Sequence, residues 1–137
     1  MSLAPGAALG PHLVARVEPG KIATLAMILA DPNPIHLDPA AAARAGLGDR
    51  VVSQGPASIG YAIDMLLAAV AGARLVRIDA RLTANVFAGD AVRAAGVVEA
   101  AAEVEGGTEL RCRYWVEVEG GARAVEGTAV LLSPASS

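Results

Sequence analysis

Residues 31–38 read Asp-Pro-Asn-Pro-Ile-His-Leu-Asp, which places two carboxylates, an imidazole and an amide on one short segment. Histidine is the side chain best suited to taking and returning a proton near neutral pH, and a carboxylate is a common partner in that work. Pro32 and Pro34 remove backbone donors and push Asp31 and Asn33 toward extended geometry. Side chains five positions apart do not share a helix face, but across a stiff extended turn Asp31 and His36 can converge on one water molecule. Little order remains to be lost when such a turn binds a ligand. The chemistry this allows is proton transfer to and from a bound water. The plainer readings are a turn aspartate bonding to nearby backbone and a structural histidine. Asp38, followed by Pro39, suits a helix N-cap.

The elements that must hold this segment follow from periodicity. Residues 12–18 form a candidate first strand, Pro19-Gly20 a break, and residues 21–29 a short helix. A second short helix runs from Pro39 to about Arg44, closed by Gly46 and Gly48. Residues 56–71 are the longest helical candidate. They are apolar almost all round, as expected of a helix enclosed by protein, with Gly55 before and Gly72 after. Its alanines and Gly60 should let other backbone approach closely. From Leu75 the period becomes two: Val76, Ile78, Ala80, Leu82, Ala84 and Val86 alternate with polar residues. A Gly89-Asp90 turn, a strand over 91–102, a Gly106-Gly107 turn and a strand with Leu110, Cys112, Tyr114, Val116 and Val118 on one face follow. Gly120-Gly121 suits a two-residue hairpin turn into a last strand over 122–132, leaving 133–137 as a loose tail. One buried helix followed by long antiparallel strands predicts an α+β fold, the sheet curled around the helix.

The 137 residues suit one domain, and 54% hydrophobic composition makes it globular rather than disordered. A net charge of −3 with mixed signs disfavours nucleic-acid binding. The single cysteine, Cys112, excludes an intrachain disulfide, and no Cys/His spacing suggests a metal. The N-terminal residues do not resemble a signal peptide, and the most apolar helix, interrupted by Asp64, is too short to span a bilayer. The expectation is a soluble, cytosolic protein.

The segment DPNPIHLDP resembles the hydratase motif of the MaoC-like, (R)-specific enoyl-CoA hydratases: an acid, any residue, Asn-Pro, an aliphatic, His, any residue, an acid. The turn Asn85-Val86-Phe87-Ala88-Gly89-Asp90 is similar to that family's strand ending in Val-x-x-Gly-Asp. The resemblance implies the hot-dog fold, in which an antiparallel sheet wraps a long central helix, commonly as a dimer. It implies that Asp31 and His36 activate the water and that the Gly55 amide, at the head of the helix, stabilises the thioester oxyanion. The substrate would be a trans-2-enoyl or 3-hydroxyacyl thioester, on coenzyme A or an acyl carrier, with no separate cofactor. Asn33, Ser53 and Gln54 flank that site as substrate-binding candidates. Asn33 also suits a loop-orienting role, and Ser53, Gln54 and Ser58 suit helix capping. This chain departs from the family in having Ala30 where a glycine is frequent and Gln54-Gly55-Pro56 where His-Gly is usual.

Two other functions compete. A non-catalytic hot-dog subunit would bind acyl thioesters or support an active partner, as a homodimer or in a heteromer with another hot-dog chain. A thioesterase would use an acid on the helix or an adjacent loop; Asp64 is the only helix acid, and it lacks the Asp31/His36 context. Arg77, Arg81, Arg111 and Arg113 fall on outward strand faces, where they could steer coenzyme A phosphates or simply be solvated. His12 reads as a surface residue, Cys112 as core, and Trp115 as a subunit contact.

Overall fold

A computed structural model describes residues 3–135. Five strands form one antiparallel sheet: β1 (Ala8–Val14), β2 (Arg74–Leu82), β3 (Val92–Val104), β4 (Gly107–Val118) and β5 (Arg123–Pro134), in the spatial order β1-β3-β4-β5-β2. Helix α1 (Pro19–Ile28) and the short α2 (Pro39–Arg44) precede the central helix α3 (Gly55–Ala69). Among the described residues, no helix is long and apolar enough to cross a membrane.

The period-two pattern of β4 buries Leu110, Cys112, Tyr114 and Val116. These meet Ala62, Met65 and Leu66 of α3 in one core that also takes in Ala94, Val125 and Leu131. Close approach of helix to sheet comes from small residues on the sheet. A Cβ on Gly96 would stand 3.3 Å from Met65 Cε and 2.7 Å from the Arg113 carbonyl. Gly60, expected to serve this purpose, faces open space with nothing within 4 Å of where its Cβ would lie. The sheet therefore covers one side of α3, while Leu67 and Ala68 are exposed. The enclosure expected from the all-round apolar sequence is incomplete in the single chain.

Several boundaries differ from expectation. The first strand begins at Ala8, because an edge strand tolerates Pro11 and shows no clean alternation to read. Pro19-Gly20 opens α1 instead of breaking the chain, with Pro19 at a helix start where its missing N–H costs nothing. β2 stops at Leu82, and a register shift between Leu75 and Arg77 leaves Val76 exposed and Leu75 and Ile78 facing the core. Val86 reaches the core separately, next to an isolated bridge between Val52 and Phe87. Residues 119–122 form the β4–β5 connection, closed by the Val118 N–H on the Ala122 carbonyl, in place of a two-residue turn. β5 runs on to Pro134, so Ser133 and Pro134 belong to the ladder rather than to a tail. Residues 136–137 lie outside the described residues.

Candidate active site

Asp31 is positioned by the end of α1. The Asp31 N–H donates to the Ala26 carbonyl at 2.9 Å and the Ala30 N–H to the Met27 carbonyl at 3.2 Å, the paired bonds of a Schellman cap. Ala30 occupies the left-handed position of that cap with φ +50°. Asp31 then divides its carboxylate between two tasks. Oδ1 accepts the Asn33 N–H at 3.1 Å, closing the turn, while Oδ2 lies 3.3 Å from His36 Nε2. One oxygen thus closes the turn, and the other is left beside the imidazole.

Asn33 is spent locally: its Oδ1 accepts the Ile35 N–H at 3.3 Å and caps a single 3₁₀ turn, Pro34–His36. That turn delivers the imidazole. Asp38 is the N-cap of α2, accepting the Ala40 N–H at 2.9 Å.

His36 is buried, with its Nδ1 2.6 Å from the Val52 carbonyl oxygen. A carbonyl can only accept, so Nδ1 carries the proton and donates. With the ring neutral, the Nε2 lone pair then faces a carboxylate that also only accepts. Two acceptors at this separation repel unless a proton or a water lies between them. A bridging water would donate one hydrogen to each and turn a lone pair outward. The side chain of His36 is 9% exposed and that of Asp31 37%, so the pair opens to solvent on the Asp31 side.

The same backbone that holds His36 leads into α3. The Val52 N–H donates to the Ile35 carbonyl at 3.0 Å, the Ser53 N–H to Val86 at 2.7 Å, and the Ala88 N–H to Val51 at 3.0 Å. The carbonyl four residues before Gly55, on Val51, is thus engaged elsewhere. As first residue of α3, Gly55 presents its N–H at the positive end of the helix dipole. Gly55 follows three positions after the Val52 anchor, at most about 11 Å along the chain. The Asp31–His36 contact and the Gly55 N–H hang on one short, pinned rail.

Neither Ser53 nor Gln54 caps that helix. Both are buried, and Gln54 Nε2 donates across to the Ile22 carbonyl of α1 at 2.9 Å. Gln54 Oε1 and Ser53 Oγ have no hydrogen-bond partner. The two residues line a groove of about 360 Å³ between α1 and α3, walled by Ile22, Leu25, Ile28 and Tyr61. Burial first, then the charge of Asp64, raises the Tyr61 phenol above its ordinary value, so it enters the groove as a neutral hydroxyl. His36 lines a neighbouring hollow of about 470 Å³ with Arg16, Leu37 and Arg50. A larger hollow, about 590 Å³ beside β1 and the β4–β5 connection, includes none of Asp31, His36 and Gly55, and its size alone gives it no claim to the chemistry.

Residues 2–119 match the family model described as the MaoC-like domain. The chain belongs to the MaoC-like domain family. Its fold agrees with that of the (R)-hydratase from A. caviae involved in PHA biosynthesis, at 28% identity and a TM-score of 0.86 over 97% of this chain and 98% of the other. R-hydratase PhaJ1 from Pseudomonas aeruginosa matches at 20% identity and a TM-score of 0.82, covering 98% of this chain and 84% of that one. A chain of the ChsH1–ChsH2 complex from Mycobacterium tuberculosis matches at 20% identity and 0.80, covering 96% and 99%. Among curated proteins, none matches the sequence. The fold of this MaoC-like domain is the hot-dog fold.

Two groups of residues at the MaoC-like site escaped sequence reasoning. Arg50 donates to Asp90 Oδ1 at 2.8 Å and to the Ala88 carbonyl at 3.0 Å, and its guanidinium lies 5.1 Å from the centre of the Phe87 ring. Asp90 Oδ2 in turn accepts the Phe87 N–H. This cluster braces the 86–88 strip against which residues 51–53 are pinned. The Gly89-Asp90 turn was visible in the sequence, but its partner lies forty positions upstream. Leu82, read only as one of an alternating series, packs its tip against Gly55.

The other candidates of this MaoC-like domain sit outside the site. Arg77, Arg111 and Arg113 pair with Asp79, Glu109 and Glu99 on exposed strand surface, and Arg81 is exposed as well. Trp115 lies between the Arg113 and Arg123 guanidinium groups, 5.5 and 5.1 Å from its ring. Asp64 is 4.0 Å from His12 and nine positions along α3 from Gly55, a rise of about 14 Å. Among the described residues, no cluster of three or more His, Cys, Asp or Glu side chains forms a metal-holding group.

Proposed function

We propose that this MaoC-like domain is a hydro-lyase that adds water across the double bond of a trans-2-enoyl thioester, or removes it from a 3-hydroxyacyl thioester. The observation that carries the reading is the 3.3 Å approach of His36 Nε2 to Asp31 Oδ2, with Nδ1 held by the Val52 carbonyl. Water bridging the two acceptors loses a proton to one of them as its oxygen bonds to C3. The π electrons move to C2 and the thioester oxygen, where the Gly55 N–H stabilises the developing negative charge. A proton returned from the pair to C2 completes the addition, so atoms balance with water alone. Each well-placed acid/base group is worth on the order of 10²–10⁴ in rate, and a lost oxyanion donor typically costs about 3 kcal/mol of barrier.

The 28% identity to the (R)-hydratase from A. caviae supports the same reaction class. The acyl chain would enter the apolar groove that Ser53 and Gln54 line, with coenzyme A or an acyl carrier remaining outside. The exposed side of α3 supports assembly with a second hot-dog chain, either a copy of this one or an unlike partner. The reading as a purely supporting subunit has less behind it, because such a chain needs no convergent acid/base pair. For the thioesterase reading the one helix acid is Asp64, which lies 4.0 Å from His12 instead.

The test is to mix the purified protein with trans-2-enoyl-CoA of several chain lengths and follow enoyl absorbance together with free thiol. Loss of absorbance without thiol release is the expected result. Thiol release would replace the proposal with a thioesterase, and silence in both channels would replace it with the supporting subunit.

A further inference from the structure

Leu82 ends β2 at the free edge of the sheet, and 55% of its surface is exposed. Its tip nonetheless rests on the helix-end glycine. A Cβ built on Gly55 would stand 2.6 Å from Leu82 Cδ1, 3.6 Å from Cδ2 and 3.7 Å from Cγ. The backbone around Leu82 is anchored, since Leu82 pairs with Val125 and Thr83 donates its N–H to Ala124 at 2.8 Å and its hydroxyl to the Arg123 carbonyl at 2.7 Å. The isopropyl group can therefore change rotamer while its α-carbon stays in place. A leucine so exposed, on a backbone so fixed, contributes little to the core, yet it leans on the one residue whose amide would polarise a thioester.

We propose that Leu82 is the side wall that limits how much bulk a substrate can carry at C2, next to its thioester carbonyl. The inference rests on the hydratase reading of Gly55. A carbonyl oxygen accepting from that N–H lies at about 2.9 Å, and the carbonyl carbon and C2 follow within two bonds. Those atoms share the surroundings of Gly55 with the Leu82 methyl groups. Hydrogen at C2 fits beside a methyl group, whereas a methyl branch there meets it. The substrate class this selects is the unbranched 2-enoyl thioester.

The experiment measures initial rates of hydration for the wild type, Leu82→Ala and Leu82→Phe with trans-2-butenoyl-CoA, its 2-methyl counterpart and the same pair of longer chain length. A methyl group against a packed wall is worth roughly 10–200-fold, so the wild type should favour the unbranched thioesters by about tenfold or more. Leu82→Ala should narrow that ratio about tenfold, chiefly by raising kcat/KM for the branched substrates. Leu82→Phe should widen it, and this variant decides the matter even if Leu82→Ala fails to fold. Equal ratios across the variants overturn the assignment of Leu82 and leave the hydratase reading intact. A wild type inert on all four thioesters overturns the hydratase reading and this inference with it.

Discussion

Ala30 holds φ at +50°, where a β-carbon crowds the following carbonyl, and it does so one residue before Asp31, the carboxylate proposed to activate water. The cap it completes fixes the Asp31 N–H on Ala26, so the strain is tied to the placement of Asp31. Replacing Ala30 with glycine should relieve it, and Ala30→Gly is expected to stabilise the fold by about 1 kcal/mol. For a chain of this length that raises the thermal midpoint by roughly 2–5 °C, readable by calorimetry. A lowered midpoint would mean that the cap is not strained. Burial first, then the nearby charge of Glu99, pushes the Cys112 thiol up to about 11. The folded state thus favours the neutral thiol. That contribution is intact below pH 9, the ordinary value, and is lost as pH climbs through about 11. Native protein at pH 8 should accordingly resist iodoacetamide and react only when unfolded; rapid native labelling would contradict the burial. At this scale the sequence was most legible where chemistry and stiffness coincide: two prolines confine Asp31 and His36 to one turn, and their meeting could be read directly. The Arg50–Asp90 pair and the Leu82–Gly55 contact were not legible, since each joins distant positions through packing that no local pattern records.

Gln54 links two elements with different duties. Helix α1 ends in the cap that places Asp31, α3 begins with Gly55, and the Gln54 side chain ties Ile22 of the first to the head of the second. Gln54→Leu removes this bond but also removes the unpartnered Oε1, so its effect on stability should stay within about 1 kcal/mol. Turnover should fall about tenfold or more, because small misplacement of reacting groups is costly. Unchanged kcat/KM in a folded variant would show that the two helices keep their spacing without it. The family's usual histidine at this position was a visible departure, yet nothing in the sequence pointed to α1 as the partner. Elements with strong periodicity were legible: β4 alternates because one face meets Met65 and Leu66 and the other meets solvent. The edge strands were not. β1 carries Pro11, and β2 shifts register at Val76, so alternation predicted a longer, flatter β2 than forms. An edge strand pairs on one side only, and packing tolerates such breaks there.

At the scale of the whole molecule, a sheet that grips one side of α3 leaves Leu67 open, and Met27, Ile28 and Leu37 near the Asp31–His36 turn are exposed too. Apolar surface of this kind is commonly covered by another chain. Sedimentation is expected to give about twice the 13.7 kDa chain mass for the isolated protein, with Leu67→Asp shifting it toward monomer. A wild-type monomer at high concentration would exclude self-association and favour an unlike partner. The α+β class was readable from the order of helix and strands. The incomplete enclosure was not, because an apolar helix has the same sequence whether its own sheet or a second chain covers it. On the proposed reading, the whole arrangement serves one water between Asp31 and His36. The most direct measurement is kcat/KM for trans-2-butenoyl-CoA in Asp31→Asn beside the wild type, with thermal midpoints in parallel. The amide oxygen can still accept from Asn33, while its NH₂ would donate to His36 Nε2 and take the water's place. The account predicts a fall of at least about a hundredfold at an unchanged midpoint, and a comparable fall in rate for His36→Ala, whose midpoint drops because the Val52 carbonyl loses its buried donor. Near-wild-type turnover in folded Asp31→Asn would contradict it.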